Sequence, residues 1–199
     1  MVIYCLSLLI VRAKITQNIF LFFLIWNLFL ALIPYLLIIY LRIQDDFRKN
    51  KIKTYLIIAI WLAFLPNSFY IITDLVHIFQ SHPSTFWFDL TLISSFAFVG
   101  FFIGIQSIFE FEKIAMTFYN EKMLLIIIPI LCFLCGFGVY LGRILRYNSW
   151  DIISNPKQLV IDIGLQLITA KTILFSVHFG IFIYLFYTSK KIIFNTKSN

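Results

Sequence analysis

Residues 66–79 read Pro-Asn-Ser-Phe-Tyr-Ile-Ile-Thr-Asp-Leu-Val-His-Ile-Phe and place a set of polar side chains in an otherwise apolar chain. The candidate binding residues in this stretch are Asn67, Tyr70, Thr73, Asp74 and His77. If the stretch is α-helical, Tyr70, Asp74 and His77 at i, i+4 and i+7 share one face. A carboxyl group and an imidazole can act as acid or base, so Asp74 and His77 are the catalytic candidates. The pattern indicates a site and leaves its chemistry unknown.

A second polar group, Gly-Arg-Ile-Leu-Arg-Tyr-Asn-Ser-Trp-Asp, occupies residues 142–151. Arg143 and Arg146, at i, i+3, would share a helix face and can clamp a phosphate or a carboxylate. The other candidate binding residues of this group are Asn148, Trp150 and Asp151. The ligand that this group favours is an anion, such as a lipid head group.

Metal binding is an alternative chemistry for residues 66–79. Asp74 and His77, at i, i+3, can both reach one ion, and Asp89 or His82 would complete the ligand set. No H-E-x-x-H or paired C-x-x-C framework accompanies them. We therefore predict no metal site and keep Asp74 and His77 as the residues that would hold a metal. No phosphate-binding loop or dinucleotide fingerprint is present, so any cofactor is unknown.

The elements that must position these residues are membrane-spanning helices. Of 199 residues, 61% are hydrophobic and 13% are charged, whereas ordinary globular chains carry about 25% charged residues. Five apolar runs have the length of roughly 20 residues that crosses a bilayer; they cover residues 19–41, 52–73, 86–109, 123–142 and 168–187. The predicted fold is all-α, a polytopic transmembrane helix bundle in which residues 1–199 form a single integral membrane domain.

A further apolar segment, residues 2–11, is half a membrane crossing long and is followed by Arg12 and Lys14. It lacks the small-residue cleavage site of a signal peptide. We expect a retained short helix, and a shortened sixth span is the alternative.

The basic residues predict the orientation, because loops rich in Lys and Arg stay in the cytoplasm. Residues 42–53 are rich in Lys and Arg, whereas residues 80–85 contain neither. Alternation then places the C-terminus in the cytoplasm and the candidate residues, Asp89 included, at the extracytoplasmic boundary. Ionisable residues near a membrane indicate a functional site, and a structural ion-pair network is the equal alternative.

Three features predict how the spans pack. Pro66 removes a helix hydrogen bond, so we expect the second span to kink or break just before its polar residues. Gly100 and Gly104, and likewise Gly138 and Gly142, have the G-x-x-x-G spacing that lets helix backbones approach closely. The third and fourth spans are therefore expected to pack tightly, with each other or with neighbours.

Four phrases, in this order along the chain, carry a resemblance to a known family: Trp-Asn-Leu-Phe-Leu-Ala-Leu-Ile-Pro (26–34), the polar stretch with its preceding Phe-Leu (64–77), Trp-Phe-Asp-Leu (87–90) and the arginine group (142–151). Together they resemble the bacterial multi-pass membrane proteins of the domain of unknown function 1361 family. The resemblance covers about residues 18–190. It implies an integral protein of the bacterial inner membrane and no established activity.

Two functional hypotheses follow. The first is a binding or structural membrane component with a polar, ionisable cluster at the extracytoplasmic boundary. The second is a membrane enzyme or transporter that acts on a lipid-linked or anionic substrate at the outer face, and it requires Asp74 and His77 to lie within about 10 Å of an arginine. The expected partners are the lipid bilayer and an anionic or lipid head-group ligand. Nucleic acid is not expected, because the basic residues flank spans and form no single basic face; the oligomeric state is unknown.

Overall fold

A computed structural model describes residues 1–44, 50–147, 154, 157, 161, 163–165 and 169–196. The principal helices are α1 (Val2–Thr16), α2 (Phe23–Ile43), α3 (Lys51–Tyr70), α4 (Phe86–Ala115), α5 (Glu121–Arg143) and α6 (Ala170–Thr196). A short 3₁₀ helix, Phe20–Phe22, leads into α2, and a longer one, Ile71–Gln80, continues α3. No strand occurs among these residues. The all-α prediction is confirmed.

Five helical segments are long and apolar enough to cross a membrane. They are Phe20–Ile43, Lys51–Gln80, Phe86–Ala115, Glu121–Arg143 and Ala170–Ile193. These segments correspond to the five predicted apolar runs, which confirms the polytopic bundle. The N-terminal α1 has 15 residues, fewer than the roughly 20 that a crossing needs, and it is the short apolar helix expected there.

Local sequence signals start two of these helices. Asn50 accepts a hydrogen bond from the backbone N–H of Lys53 at 3.0 Å and caps α3, and Asn120 caps α5 through Met123 at 2.9 Å. An asparagine at this position satisfies a backbone donor that the first helical turn leaves unpaired. The first turns of α3 and α5 are thereby fixed where each apolar helix begins.

A kink or break was expected in the second span at Pro66, and the break does not occur there. The α-helix continues through Pro66 to Tyr70, and only then does the chain tighten into the 3₁₀ helix Ile71–Gln80. In a 3₁₀ helix the side chains at i and i+3 eclipse, so Asp74 and His77 share a face, whereas the α-helical register expected for Tyr70, Asp74 and His77 is wrong. Pro66 is accommodated because its ring lies against Gly138, a residue without a side chain.

Both glycine pairs pack against the same stretch of the second span, residues 66–71, which we call the clamped segment. A methyl group at Gly104 would lie 2.8 Å from Ser68 Cβ and from Phe69 Cζ. The remaining neighbours are Ile71 at Gly100, Pro66 at Gly138 and Tyr70 at Gly142. The glycines of α4 and α5 thus hold the clamped segment between them, directly before the polar residues Thr73, Asp74 and His77.

Candidate functional site

Asp74 lies where the second span meets α2 and α5, at the bundle end that we call the aspartate end, and only 1% of its surface is exposed. Asn27 Nδ2 of α2 donates a hydrogen bond to Asp74 Oδ2 at 2.6 Å. Arg143 Nη1, at the last turn of α5, lies 3.5 Å from Asp74 Oδ1. The carboxylate therefore joins three membrane-spanning segments through one hydrogen bond and one ion pair.

Tyr70 completes this arrangement from the last residue of α3. Arg143 Nη1 donates to the Tyr70 hydroxyl at 3.4 Å, and the guanidinium carbon lies 5.8 Å from the centre of the Tyr70 ring. A guanidinium beside an aromatic ring at this distance gains a cation–π attraction. The structure thus brings Tyr70, Asp74 and Arg143 together.

Asp89 belongs to a separate ion pair at the aspartate end. It is fully buried in the first turn of α4, and Arg12 of α1 binds both its carboxylate oxygens, through Nε at 3.2 Å and Nη2 at 3.5 Å. Thr85 Oγ1 donates a third hydrogen bond at 3.3 Å. Arg12 Nη1 also donates to the Asn18 carbonyl at 3.1 Å. Asp89 therefore fastens the N-terminal helix to α4.

Sequence reasoning missed the two partners that hold the aspartates, Arg12 and Asn27. Each had a usable signal. Arg12 ends an apolar segment that packs on the bundle, and a buried cation in such a place requires a carboxylate. Asn27 stands inside an otherwise apolar span, where a side-chain amide must find a hydrogen-bond partner.

His77 is half-buried and lies among aromatic rings. Its ring centroid is 4.9 Å from that of Phe23 and 5.9 Å from that of Phe20, both in edge-to-face geometry. Its Nδ1 lies 3.4 Å from Gln80 Oε1. His77 is close enough to act electrostatically on Asp74, but no hydrogen bond joins the two side chains within the described part of the chain.

The residues considered as metal ligands, Asp74, His77, His82 and Asp89, form no ligand set for an ion among the described residues. Within residues 1–44, 50–147 and the described residues beyond them, no group of three His, Cys, Asp or Glu side chains could hold an ion. Asp74 instead interacts with Asn27 and Arg143, and the His82 imidazole lies 2.8 Å from Ser84 Oγ.

Asn67 and Thr73 bond to their own helix. Asn67 Nδ2 donates to the Phe64 carbonyl at 3.1 Å, and Thr73 Oγ1 donates to the Tyr70 carbonyl at 2.6 Å. The threonine thus satisfies a carbonyl at the point where α3 changes into a 3₁₀ helix, a place where backbone acceptors lose their α-helical partners.

Arg146 departs from the predicted clamp geometry. The helix α5 ends at Arg143, and Arg146 adopts a left-handed conformation with φ of 61°, so the two arginines share no helix face. The Arg146 side chain is exposed and makes no hydrogen bond or ion pair within the described residues. The remaining candidates Asn148, Trp150 and Asp151 lie outside the described residues.

The opposite end of the bundle, which we call the glutamate end, carries ion pairs between buried carboxylates and partly exposed cations that sequence reasoning did not single out. Glu110 of α4, 3% exposed, is paired with Arg42 of α2 and, at 3.0 Å, with Lys113. Glu112, also 3% exposed, is paired with Lys191 of α6. Ion pairs between helices therefore close both ends of the bundle.

The fold is an all-helical bundle with five membrane-spanning segments, and ion pairs join its helices at both ends. These features define a multi-pass membrane protein. Within this class the chain belongs to the family described as "Protein of unknown function (DUF1361)", whose model matches residues 26–186. The family resemblance seen in the sequence is confirmed. The matched region includes Asn27, Asp74, Asp89 and Arg143, whereas Arg12 precedes it. No curated protein and no solved structure matches the chain.

Proposed function

We propose that the protein is a binding or structural component of the bacterial inner membrane, with its C-terminus in the cytoplasm and its aspartate end at the extracytoplasmic boundary. The observation that carries the proposal is the pairing of the Asp74 carboxylate, which accepts a hydrogen bond from Asn27 and forms an ion pair with Arg143, each from another span. A buried carboxylate held by an amide and a guanidinium stabilises the arrangement of helix ends, because removal of the guanidinium leaves the carboxylate charge unpaired and removal of the amide leaves one of its oxygens without a hydrogen bond.

The binding part of the proposal rests on the arginines that remain accessible. The Arg143 side chain is 24% exposed, although it is engaged with Asp74 and Tyr70. Arg146 is exposed and makes no hydrogen bond or ion pair within the described residues. Guanidinium groups bind phosphate oxygens bidentately, and a lipid head group reaches a helix end at the membrane boundary. The ligand in this proposal is an anionic lipid head group.

A comparison of two charge-neutralising variants tests the anion site. Arg146→Gln removes the accessible guanidinium, and Lys171→Gln removes an exposed cation from the second residue of α6 as a matched control. The unfolding temperature is measured in nanodiscs of phosphatidylglycerol and of phosphatidylcholine. Wild-type protein should be more stable in phosphatidylglycerol. Arg146→Gln should reduce that difference by about 1.5–3 kcal/mol, the effect of hydrogen bonds to a charged group, whereas Lys171→Gln should reduce it by the roughly 1 kcal/mol of any cation near an anionic surface. Equal effects of the two variants would overturn the specific site.

The second candidate, an enzyme or transporter for a lipid-linked or anionic substrate, is favoured by one observation: half-buried His77 lies close enough to Asp74 to act on it electrostatically. Asp74→Ala and His77→Ala separate the two functions when membrane abundance and cellular lipid composition are both measured. For a structural role, Asp74→Ala lowers the abundance of folded protein and His77→Ala changes neither quantity. If His77→Ala protein is present at normal abundance while the lipid composition changes as it does on deletion, the catalytic or transport function replaces the structural one.

A further inference from the structure

A cavity of about 500 Å³ lies at the glutamate end, where α4 ends, α5 begins and α6 passes both. This volume falls in the range of small-molecule sites, about 300–1,000 Å³. Its polar wall contains Glu112, Tyr187 and Lys191, and its apolar wall contains Leu124, Leu125 and Ile128. None of these residues belongs to the aspartate end.

Tyr187 supplies the observation that points to a ligand. Its side chain lines the cavity and is 3% exposed, yet its hydroxyl has no hydrogen-bond partner within the described residues. The Glu112 carboxylate lies close to this hydroxyl, but the two atoms do not meet hydrogen-bond geometry, and the carboxylate is already engaged by Lys191. A buried hydroxyl without a partner is unfavourable, so a polar group entering the cavity gains a hydrogen bond that the protein itself leaves unmade.

The apolar rim of the cavity indicates that the ligand has an apolar part as well as a polar group. Leu125 of α5 and Ile192 of α6 both line the cavity, and each is 67% exposed. Exposed aliphatic side chains on membrane-spanning helices face lipid chains, so the cavity borders the bilayer on this side. A polar wall beside a lipid-facing apolar rim suits an amphiphile better than a fully water-soluble molecule.

The charges of the lining select the head group. Glu112 and Lys191 neutralise each other in an ion pair, and Glu121, exposed at the start of α5, adds a further carboxylate to the lining. The surplus charge is negative, which disfavours an anionic head group. We propose that this cavity binds an amphiphile whose head group carries an ammonium, with the N–H groups directed to Glu121 and Tyr187 and the apolar chain along Leu125.

Titration of the detergent-purified full chain with short-chain amphiphiles tests this proposal. The probes are phosphatidylethanolamine, phosphatidylcholine and phosphatidylglycerol with the same acyl chains, and a simple alkylamine. A ligand that binds only the folded state raises the free energy of unfolding by RT ln(1 + [L]/Kd), and so raises the unfolding temperature. Phosphatidylethanolamine or the alkylamine should stabilise the protein, and the tighter of the two identifies a lipid head group or a free amine as the source. Equal or stronger stabilisation by phosphatidylglycerol would overturn the proposal.

Two variants tie the binding to this cavity. Tyr187→Phe keeps the ring and removes only the hydroxyl, and it should weaken ammonium binding about three- to tenfold, the effect of one hydrogen bond. Glu121→Gln, at an exposed position, should weaken binding of the amine probes, and should weaken phosphatidylcholine binding less, because its trimethylammonium carries a charge but no N–H to donate. Tyr55→Phe is the matched control, because Tyr55 is 62% exposed and lies outside this cavity. Unchanged ammonium affinity in both Tyr187→Phe and Glu121→Gln would exclude the site.

Discussion

At the scale of single residues, Asp74 and Asp89 are equally buried but differ in how they are held. Asp74 has one partner from an earlier span and one from a later span, whereas in the described part of the chain the one charged partner of Asp89 is Arg12. The sequence could predict that Tyr70, Asp74 and Arg143 lie together, because hydropathy and alternation bring their span ends to one membrane depth. It could not predict which arginine each aspartate would bind, since that choice depends on the angles at which α1 and α5 pack.

We expect the two ion pairs to differ in their contribution to stability. Arg12→Gln leaves a fully buried carboxylate with Thr85 as its remaining side-chain partner, and should lower the free energy of unfolding by about 3–5 kcal/mol. Arg143→Gln leaves Asp74 bonded to Asn27, and the arginine was itself partly exposed, so about 1–3 kcal/mol is expected. Unfolding in detergent micelles measures the loss of stability in each of the two variants.

The double variant Arg12→Gln with Asp89→Asn is the control for this comparison. It removes both charges and should recover part of the loss, because no unpaired charge stays buried. If Arg12→Gln were no more destabilising than Arg143→Gln, the ion pair between α1 and α4 would contribute no more to the free energy of unfolding than the pair between Asp74 and Arg143.

At the scale of elements, the clamped segment explains where sequence reasoning succeeded and where it failed. The glycine spacing correctly indicated close helix contacts, because a glycine leaves room for a neighbouring side chain whatever the neighbour is. A kink or break was expected at Pro66 from local backbone chemistry. The α-helix does not break there and continues to Tyr70, where it changes into a 3₁₀ helix, since the packing of residues 66–71 against glycines of two helices outweighs the local signal.

Alanine substitutions test the clamped segment. Gly138→Ala places a methyl group against the Pro66 ring and should lower the free energy of unfolding by about 1–3 kcal/mol through overpacking. In a Pro66→Ala background the same substitution should cost at least about 0.5 kcal/mol less, because the two positions are in contact. Thermal unfolding in detergent of the wild type, the two single variants and the double variant gives the coupling free energy between the two positions.

Gly164→Ala is the matched control for the glycine series, because a methyl group at Gly164 would meet nothing within 4 Å. It should leave stability unchanged or raise it slightly through helix propensity. A Gly138→Ala protein as stable as Gly164→Ala would contradict the clamped packing.

At the scale of the whole molecule, hydropathy predicted the five spans and missed how far three of them extend. The second run was expected to end at Thr73, the third at Phe109, before Glu110 and Glu112, and the fifth at Tyr187, whereas the helical segments end at Gln80, Ala115 and Ile193. Helix α4 in fact continues to Ala115, because both glutamates are paired with cations from other helices. A charge ends an apolar run in a sequence, but it does not end a helix, because glutamate is a good helix former and both glutamates here have partners.

The orientation of the bundle is tested by labelling single introduced cysteines in spheroplasts. Ser84→Cys lies in the exposed turn before α4, and Lys122→Cys lies at the exposed start of α5. A membrane-impermeant maleimide should label Ser84→Cys in intact spheroplasts and Lys122→Cys only after permeabilisation. The native Cys5, Cys132 and Cys135 are buried, so wild-type protein is the background control. The reverse labelling pattern would invert the proposed topology.

The buried ion pairs also bear on the order in which the chain is synthesised. Asn27 precedes Asp74, Arg12 precedes Asp89 and Arg42 precedes Glu110, so each of these acidic side chains leaves the ribosome after one of its partners. A carboxylate entering the membrane region can therefore be captured by a helix that is already present. Glu112 is the exception, since Lys191 comes last, and α6 is the helix whose arrival completes the charge pairing of the nascent bundle.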